Sequence, residues 1–295
     1  MVEQSGARPS IALVSYERLP ILSEDDRLLA AALDARGALA VPVVWSDARV
    51  QWGAYDAIVV RSCWDYFLRA DEFFSWLAQL ENERAVVFND VRTLRWNADK
   101  TYLRDLQRRG VPVVPTHWVE SGAAESLRDI RRRTGWSELV VKPAISGSAH
   151  ETWRASPGGE RADEARLGAM TACGGVLVQP LVDVISDHGE WSILFFDGEY
   201  SHAVLKRPRS GDFRVQIEHG GTVEPRDPPF ELIAQARAAL LAAPAARTLY
   251  ARVDGCVVDG ELLLMELELI EPALFLGTST GAAERLADAV IARLC

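Results

Sequence analysis

The sequence predicts a protein of mixed α/β and α+β class, and three observations carry the prediction. From residue 10 to residue 89, short apolar runs alternate with amphipathic helical ones, the pattern of a parallel sheet with helices on its faces. In residues 91–181, polar helices interrupt short apolar strands, as in a small α+β unit. In the last third, Asp197-Gly198 and Asp259-Gly260 each stand between alternating apolar segments, which marks β-hairpins and an antiparallel sheet. We accordingly divide the chain into 1–90, 91–181 and 182–295.

Each element has its own signal. A buried strand at 10–16 leads into a helix from Glu24 to Arg36, with Ser23 as its cap and Gly37 as its terminator. Strands at 39–45 and 56–62, a helix at 70–81 and a strand at 85–89 complete the first unit. A helix carrying DKTYLRDLQRRG starts at Ala98 and stops at Gly110, and VPVVPT follows as extended chain. Next come a polar helix (123–134), a strand (138–144), the loop ISGSAHET, a further strand, a helix (162–172) and a strand (175–181). The third unit opens with the hairpin EWSILFF-DG-EYSHAVLKR and passes through 211–225 and a helix at 230–242. A second hairpin lies within 251–276, and a helix after Gly281 closes the chain.

Composition narrows the function. The chain has 295 residues, enough for real cores, with 42 Asp and Glu against 32 Lys and Arg, a net charge of -10. The signs are mixed and no basic stripe is present, which disfavours nucleic acid as a partner. Cys63, Cys173, Cys256 and Cys295 lie far apart without a CxxC pair, so we expect reduced, mostly packed thiols in a cytoplasmic protein. IALVSY is too short for a signal-peptide core, and no run reaches membrane-spanning length.

The stretch ARVDGCVVDGELLLMELELIEPALFL is the most informative. Side chains alternate across a strand, so Glu266 and Glu268 leave one face while Met265, Leu267 and Leu269 leave the other. A two-residue loop at Asp259-Gly260 pairs Asp254 with Met265 and turns it away from both glutamates. We expect instead a three-residue loop, which puts Arg252 and Asp254 on the face of Glu266 and Glu268. Three crowded carboxylates need cations, and a hard divalent ion with oxygen ligands answers that need. A solvated acidic strand is the alternative.

Two further stretches carry chemistry. In VVKPAISGSAHET, Lys142 ends an apolar strand just before Ser146, Gly147 and Ser148. A strand-end lysine with a small-residue loop suits phosphate, although no P-loop spacing is present. In RSCWDYF, Arg61, Trp64 and Tyr66 follow a buried strand at a sheet edge where ligands commonly bind. A substrate-contacting loop and an aromatic lid on the core both remain open. The five histidines are scattered without zinc-ligand spacing.

Taken in order, Lys100 at a helix start, Lys142 before its loop, the Gln-Pro pair after VLV and the acidic hairpin resemble the ATP-grasp superfamily. The likeness is to its glutathione-synthetase-like carboxylate–amine ligases. RSCWDY, VVKP-ISGSA, KRP-GDFRVQ-GGT and ARVD-MELELIEPALFL look most like the branch that contains the D-cycloserine-forming cyclo-ligase. The resemblance covers essentially the whole chain. It implies an ATP-grasp fold: a Rossmann-like pre-ATP-grasp domain, then two α+β subdomains sandwiching ATP.

Roles follow from the resemblance alone. Lys100 and Lys142 hold the α- and β-phosphates, and the loop from Ile145 to Ala149, with Ser146, Gly147 and Ser148, closes over the γ-phosphate. Gln179, Pro180 and Leu181 form the hinge that reads adenine, with Asp187 or Glu190 near the ribose. Asp254, Glu266 and Glu268 hold two Mg2+ ions, Glu268 standing where the family usually has Asn. Arg214 stabilises the transferring phosphoryl group. Apart from the resemblance, the substrate carboxylate needs a cation, and Arg252, two residues before Asp254 on the expected shared face, is the candidate, an ion pair with Glu266 or Glu268 being its alternative.

The implied reaction is amide formation through an acyl phosphate, which a closed loop shields from water. No enzyme nucleophile is required. The branch implies a small amino acid-like partner, O-ureido-D-serine, whose own nitrogen closes the ring, and neither nucleic acid nor membrane; a homo-oligomer is compatible with it. Rival readings are an intermolecular ligase acting on a peptide or metabolite, and an ATP-binding module without catalysis.

Overall fold

The computed structural model describes residues 8–157, 160–244 and 247–294. The first alternation builds a parallel sheet from β1 (Ser10–Ser15), β2 (Leu39–Val44), β3 (Ala57–Val60) and β4 (Val87–Phe88), in the order β2-β1-β3-β4. Strand β1 is apolar on both faces because both are covered. Ile11 and Leu13 share a core with α1 (Glu24–Asp34), whereas Ala12 and Val14 pack with Phe73 and Leu77 of α2 (Ala70–Asn82). Ser23 caps α1 by accepting the Asp26 amide at 3.1 Å.

The helix expected from Ala98 begins only at Tyr102, as α4 (Tyr102–Arg108), and a separate helix not expected from the sequence, α3 (Val91–Asn97), precedes it. Asp90 caps α3 through the Thr93 amide, 2.8 Å away. The break falls at Lys100, whose amide bonds the Ala144 carbonyl at 2.8 Å, while the Thr101 amide bonds the Asp99 carboxylate at 2.8 Å. Local side-chain acceptors of this kind compete with the helical ladder. Val91 and Leu94 pack into the core of the first sheet, so contacts cross residue 90, and the division at 90 and 181 stays our proposal.

The middle sheet comprises β5 (His117–Val119), β6 (Leu139–Pro143), β7 (Trp153–Ala155) and β8 (Val176–Pro180), with order β5-β8-β6-β7 and every pairing antiparallel. Two helices belong to it, α5 (Leu127–Thr134) and α6 (Glu160–Cys173). A short helix not expected from the sequence, α7 (Val184–His188), leads to β9 (Glu190–Phe196) and β10 (Glu199–Arg207). These pair with β11 (Thr222–Pro225), β12 (Tyr250–Val258) and β13 (Glu261–Glu268) in the antiparallel order β11-β10-β9-β12-β13. Helix α8 (Phe230–Leu241) covers one face of this sheet, and Leu286 and Val290 of α9 (Ala282–Ala292) join the core containing Ile11, Leu13 and Phe196.

Cys63 and Cys256 are buried and Cys173 is exposed, while Cys295 and the N-terminal residues 1–7 lie outside the described residues. Among the described residues, no helix is long and apolar enough to cross a membrane.

Candidate active site

The acidic hairpin closes on two residues, Asp259 and Gly260, at φ 52° and 84°, as in the type I′ turn that matches strand twist. The expected three-residue loop is absent, and a bulge does its work. Val258 through Gly255 pair with Glu261 through Leu264, after which the register slips by one, leaving Asp254 opposite Glu266 and Arg252 opposite Glu268. Met265 is the extra residue. A bulge turns two consecutive side chains to one face, so Met265 lies on the cleft wall beside Glu266 rather than with Leu267 and Leu269 in the core.

Strand β13 is an edge strand, and an uncovered edge leaves backbone groups unpaired. The chain around Lys100 covers it. Pro112 accepts the Leu264 amide at 2.9 Å, and the Val114 amide donates to the Leu264 carbonyl at 3.0 Å. Beyond the bulge, the Tyr102 hydroxyl accepts the Leu267 amide at 3.0 Å. Asn97 takes both remaining groups, donating to the Leu267 carbonyl (2.7 Å) and accepting the Leu269 amide (2.8 Å). Docked in this way, the break between α3 and α4 presents Lys100 to Glu266 at 3.9 Å. Lys142, at the end of β6, reaches the same carboxylate oxygen at 3.2 Å.

A cleft of about 660 Å3 holds these groups, and its wall also includes Lys206, Arg214, Arg252, Asp254, Glu268 and Glu271. Arg252 grips Asp254 through Nε (3.0 Å) and Nη2 (2.9 Å), bonds Glu268, and donates to the Ala273 carbonyl at 3.0 Å. Lys206 bridges Glu190 (2.6 Å) and Asp254 (3.3 Å), and the Ser192 hydroxyl donates to Asp254 at 2.6 Å. Burial works against the Asp254 carboxylate, but Arg252 and Lys206 outweigh it and hold its pKa down to about 2. Glu266 is likewise opposed by burial and lowered overall by Lys100 and Lys142. Glu268 behaves differently. Burial, together with Asp254 and Glu266, pushes it up to about 7 despite Arg252.

The carboxylate donors are hard oxygens on one face, the chemistry that suits a hard divalent cation. Among the described residues no three His, Cys, Asp or Glu side chains converge as a ready ligand set. The physical reason is that the protein's own cations already compensate them: Arg252 for Asp254 and Glu268, and Lys142 for Glu266. Repulsion among these acids therefore does not by itself demand a metal.

The loop after β6 lies across the wall, with Ser146, Gly147, Ser148 and Ala149 all on the cleft. Ser146 is buried, its carbonyl accepts from the Lys100 ammonium, and its hydroxyl donates to the Pro143 carbonyl at 3.2 Å. A Cβ on Gly147 would lie 2.8 Å from the Phe67 ring, so any larger residue here requires that ring to move. Gln179, Pro180 and Leu181 line the cleft as well. The Leu181 amide is already bonded to the Glu138 carbonyl at 3.0 Å, so that hinge donor is not free. Asp187 is exposed on α7 and does not line the cleft, because the helix turns it outward; Glu190 lines it, paired with Lys206. Arg214 is on the wall, held by Asp212 through Nε (3.1 Å) and Nη2 (2.8 Å).

Of the three residues expected from the first unit to meet substrate, Trp64 and Tyr66 line the cleft. Arg61 does not. It is 2% exposed, its Nε donates to Asp26 at 2.9 Å and its Nη2 to the Pro272 carbonyl at 3.0 Å, and it stacks over Tyr250. A buried acid under the sheet, invisible to local spacing, captures this arginine for the core.

Among the wall residues not singled out from sequence are Lys206, Phe67 and Glu271, and Ser192, buried behind the wall, was missed as a partner of Asp254. Lys206 did carry a signal, a lysine ending an apolar strand as Lys142 does. Glu271 carried none, since it follows the end of β13 and the period-two argument stops there.

The chain is similar to known proteins along most of its length. Residues 11–89 match the family model described as D-cycloserine synthetase DcsG, N-terminal domain. The cycloserine biosynthesis protein DcsG of Streptomyces lavendulae is 33% identical over 261 residues, which is 85% of this chain and 87% of that protein. The crystal structure of D-cycloserine synthetase DcsG superposes with a TM-score of 0.87 at 32% identity, covering 97% of this chain and 100% of that one. D-alanine–D-alanine ligase from Bacillus anthracis shares the fold, with a TM-score of 0.71, 16% identity and 97% of both chains covered. One third of positions kept along nearly the whole length, on the same backbone, leaves a single conclusion: the chain belongs to the DcsG family of ATP-grasp ligases.

Proposed function

We propose that the protein is an ATP-dependent carboxylate–amine ligase whose reaction passes through an acyl phosphate, with O-ureido-D-serine closing to D-cycloserine as the substrate reading. The observation that carries it is the charge arrangement of one cleft. Lys100, Lys142, Lys206 and Arg252 alternate there with Glu190, Asp254, Glu266 and Glu268, beside a small-residue loop. Transfer of a phosphoryl group to a carboxylate brings two anions together, and fixed cations offset both their repulsion and the charge that develops.

In this reading Lys100 and Lys142 receive the α- and β-phosphates, Ser146 to Ala149 cover the γ-phosphate, and Gln179 to Leu181 flank the adenine. Arg214 faces the transferring group. Arg252, held by three acceptors, orders Asp254 and Glu268 as well as offering its last N–H to the substrate carboxylate. Mg2+, as two ions on Asp254, Glu266 and Glu268, supplies charge neutralisation and orientation of the phosphates when bound. Lys142 and Arg252 hold those carboxylates otherwise. Trp64 and Tyr66 on the wall favour a small substrate over a peptide.

The test is ADP release from Mg-ATP with O-ureido-D-serine and a panel of D- and L-amino acids. Stimulation by one small amino acid, reduced at least about 100-fold in Glu266→Ala or Lys142→Ala, is the expected result. ATP binding without stimulation by any small acid would sink the cyclo-ligase reading and favour a larger acceptor or an ATP-binding module.

A further inference from the structure

Eight acidic residues line the cleft; Asp183 and Glu218 are exposed to solvent and Asp212 pairs with Arg214, which leaves Glu190, Asp254, Glu266, Glu268 and Glu271 as the group to account for. Lys206 pairs with Glu190 and Asp254, Arg252 with Asp254 and Glu268, and Lys100 and Lys142 with Glu266. Among the described residues no cation pairs with Glu271. Its position is nevertheless well defined. The Trp64 indole donates to the Glu271 carbonyl at 3.1 Å, and the buried Arg61 holds the next carbonyl, that of Pro272, at 3.0 Å. The Glu271 Oε1 lies 3.7 Å from the point a Cβ on Gly147 would occupy, with the Phe67 ring against the same glycine. Glu271 thus sits where the aromatic loop of the first unit meets the small-residue loop.

We propose that Glu271 is the specificity residue of the cleft, a carboxylate reserved for the ammonium group of a small zwitterionic amino-acid substrate. A partly buried carboxylate without a cation is unfavourable, and an incoming ammonium relieves that with a charge-assisted hydrogen bond. Burial and the neighbouring Glu268 already raise the Glu271 carboxyl to about 8, which a bound cation reverses. The same substrate then bridges two opposite fields: its ammonium at Glu271, its carboxylate toward Arg252. A neutral carboxylic acid of the same shape lacks the first contact, and a peptide C-terminus has no ammonium at that spacing. The ammonium is recognised and takes no part in bond formation, so the group that attacks the activated carboxyl is a different nitrogen of the substrate.

This assignment rests on the ligase reading above, and its test separates the two. ADP release is measured with O-ureido-D-serine and with its desamino analogue, 3-(ureidooxy)propanoic acid, for wild type, Glu271→Gln and Glu271→Asp. Expected are a wild-type KM for the amino acid about 10- to 100-fold below that for the analogue, and loss of that preference in Glu271→Gln through the amino-acid KM. The KM for ATP stays within about twofold in the variant, which also reports that it is folded, and Glu271→Asp keeps part of the preference. Turnover in which Glu271→Gln leaves both KM values unchanged, or in which wild type accepts the analogue equally well, overturns the role of Glu271 alone. Wild-type protein that responds to no small amino acid overturns the ligase reading and this assignment with it.

Discussion

His202 shows how one side chain ties the sheet to the segment that follows the acidic hairpin. Its Nε2 lies 2.9 Å from the Leu274 carbonyl and its Nδ1 2.9 Å from the Ser201 hydroxyl, an arrangement satisfied by the neutral ring with its proton on Nε2. Burial, with Arg285 nearby, lowers its pKa below the ordinary 6.5. A histidine lowered in the folded state binds fewer protons there than in the unfolded chain, so stability rises with pH through that window and is lost as pH falls below 6.5. Urea midpoints at about pH 7.5 and about pH 5.5 should therefore differ more for wild type than for His202→Gln. Equal slopes in the two proteins would remove His202 from the account.

At the scale of elements, the decisive piece is the covered edge of β13. A side chain three residues before Lys100 closes it: Asn97 is 6% exposed and answers two backbone groups of the acidic strand. Leaving a buried donor or acceptor unmet costs about 1–3 kcal/mol each. Asn97→Ala is thus expected to destabilise the fold by about 2–5 kcal/mol. Because the acidic strand and Lys100 then shift relative to one another, the KM for ATP should rise as well. Chemical denaturation and ATP titration of the same variant check both parts, and an unchanged KM would mean that Lys142 alone fixes Glu266.

Across the whole molecule, buried polar side chains join the first sheet to the third. Arg61 bridges Asp26 of α1, the Pro272 carbonyl and the Tyr250 ring, and Asn89 donates to the Tyr250 and Leu269 carbonyls at 2.9 and 2.8 Å. Removing one partner of a buried ion pair leaves the other charged and unpaired, which costs about 3–5 kcal/mol. Arg61→Met should lower stability by that amount, and Asp26→Asn combined with it should recover part of the loss. A substrate role for Arg61 would instead appear as a raised substrate KM in a protein of normal stability, so denaturation and kinetics on one sample decide between them.

Local order carried much of this protein in its sequence. Strand and helix alternation, the Asp-Gly turns, the Ser23 cap and the strand-end Lys142 are set by period, turn chemistry and capping, which act within a few residues. The acids Asp254, Glu266 and Glu268 were legible too, though for an incomplete reason: period-two reasoning places them, but the slip at Met265 that brings them together answers to β12 and to the covered edge. What only the tertiary structure decided are the pairings between distant segments. Asp26 withdraws Arg61 from the cleft, Lys206 enters it from another strand, and Glu271 lies there because Trp64 and Gly147 come from elsewhere in the chain to meet it. A charged side chain goes to whichever opposite charge or open wall the folded chain brings near, and spacing along the chain does not record that distance.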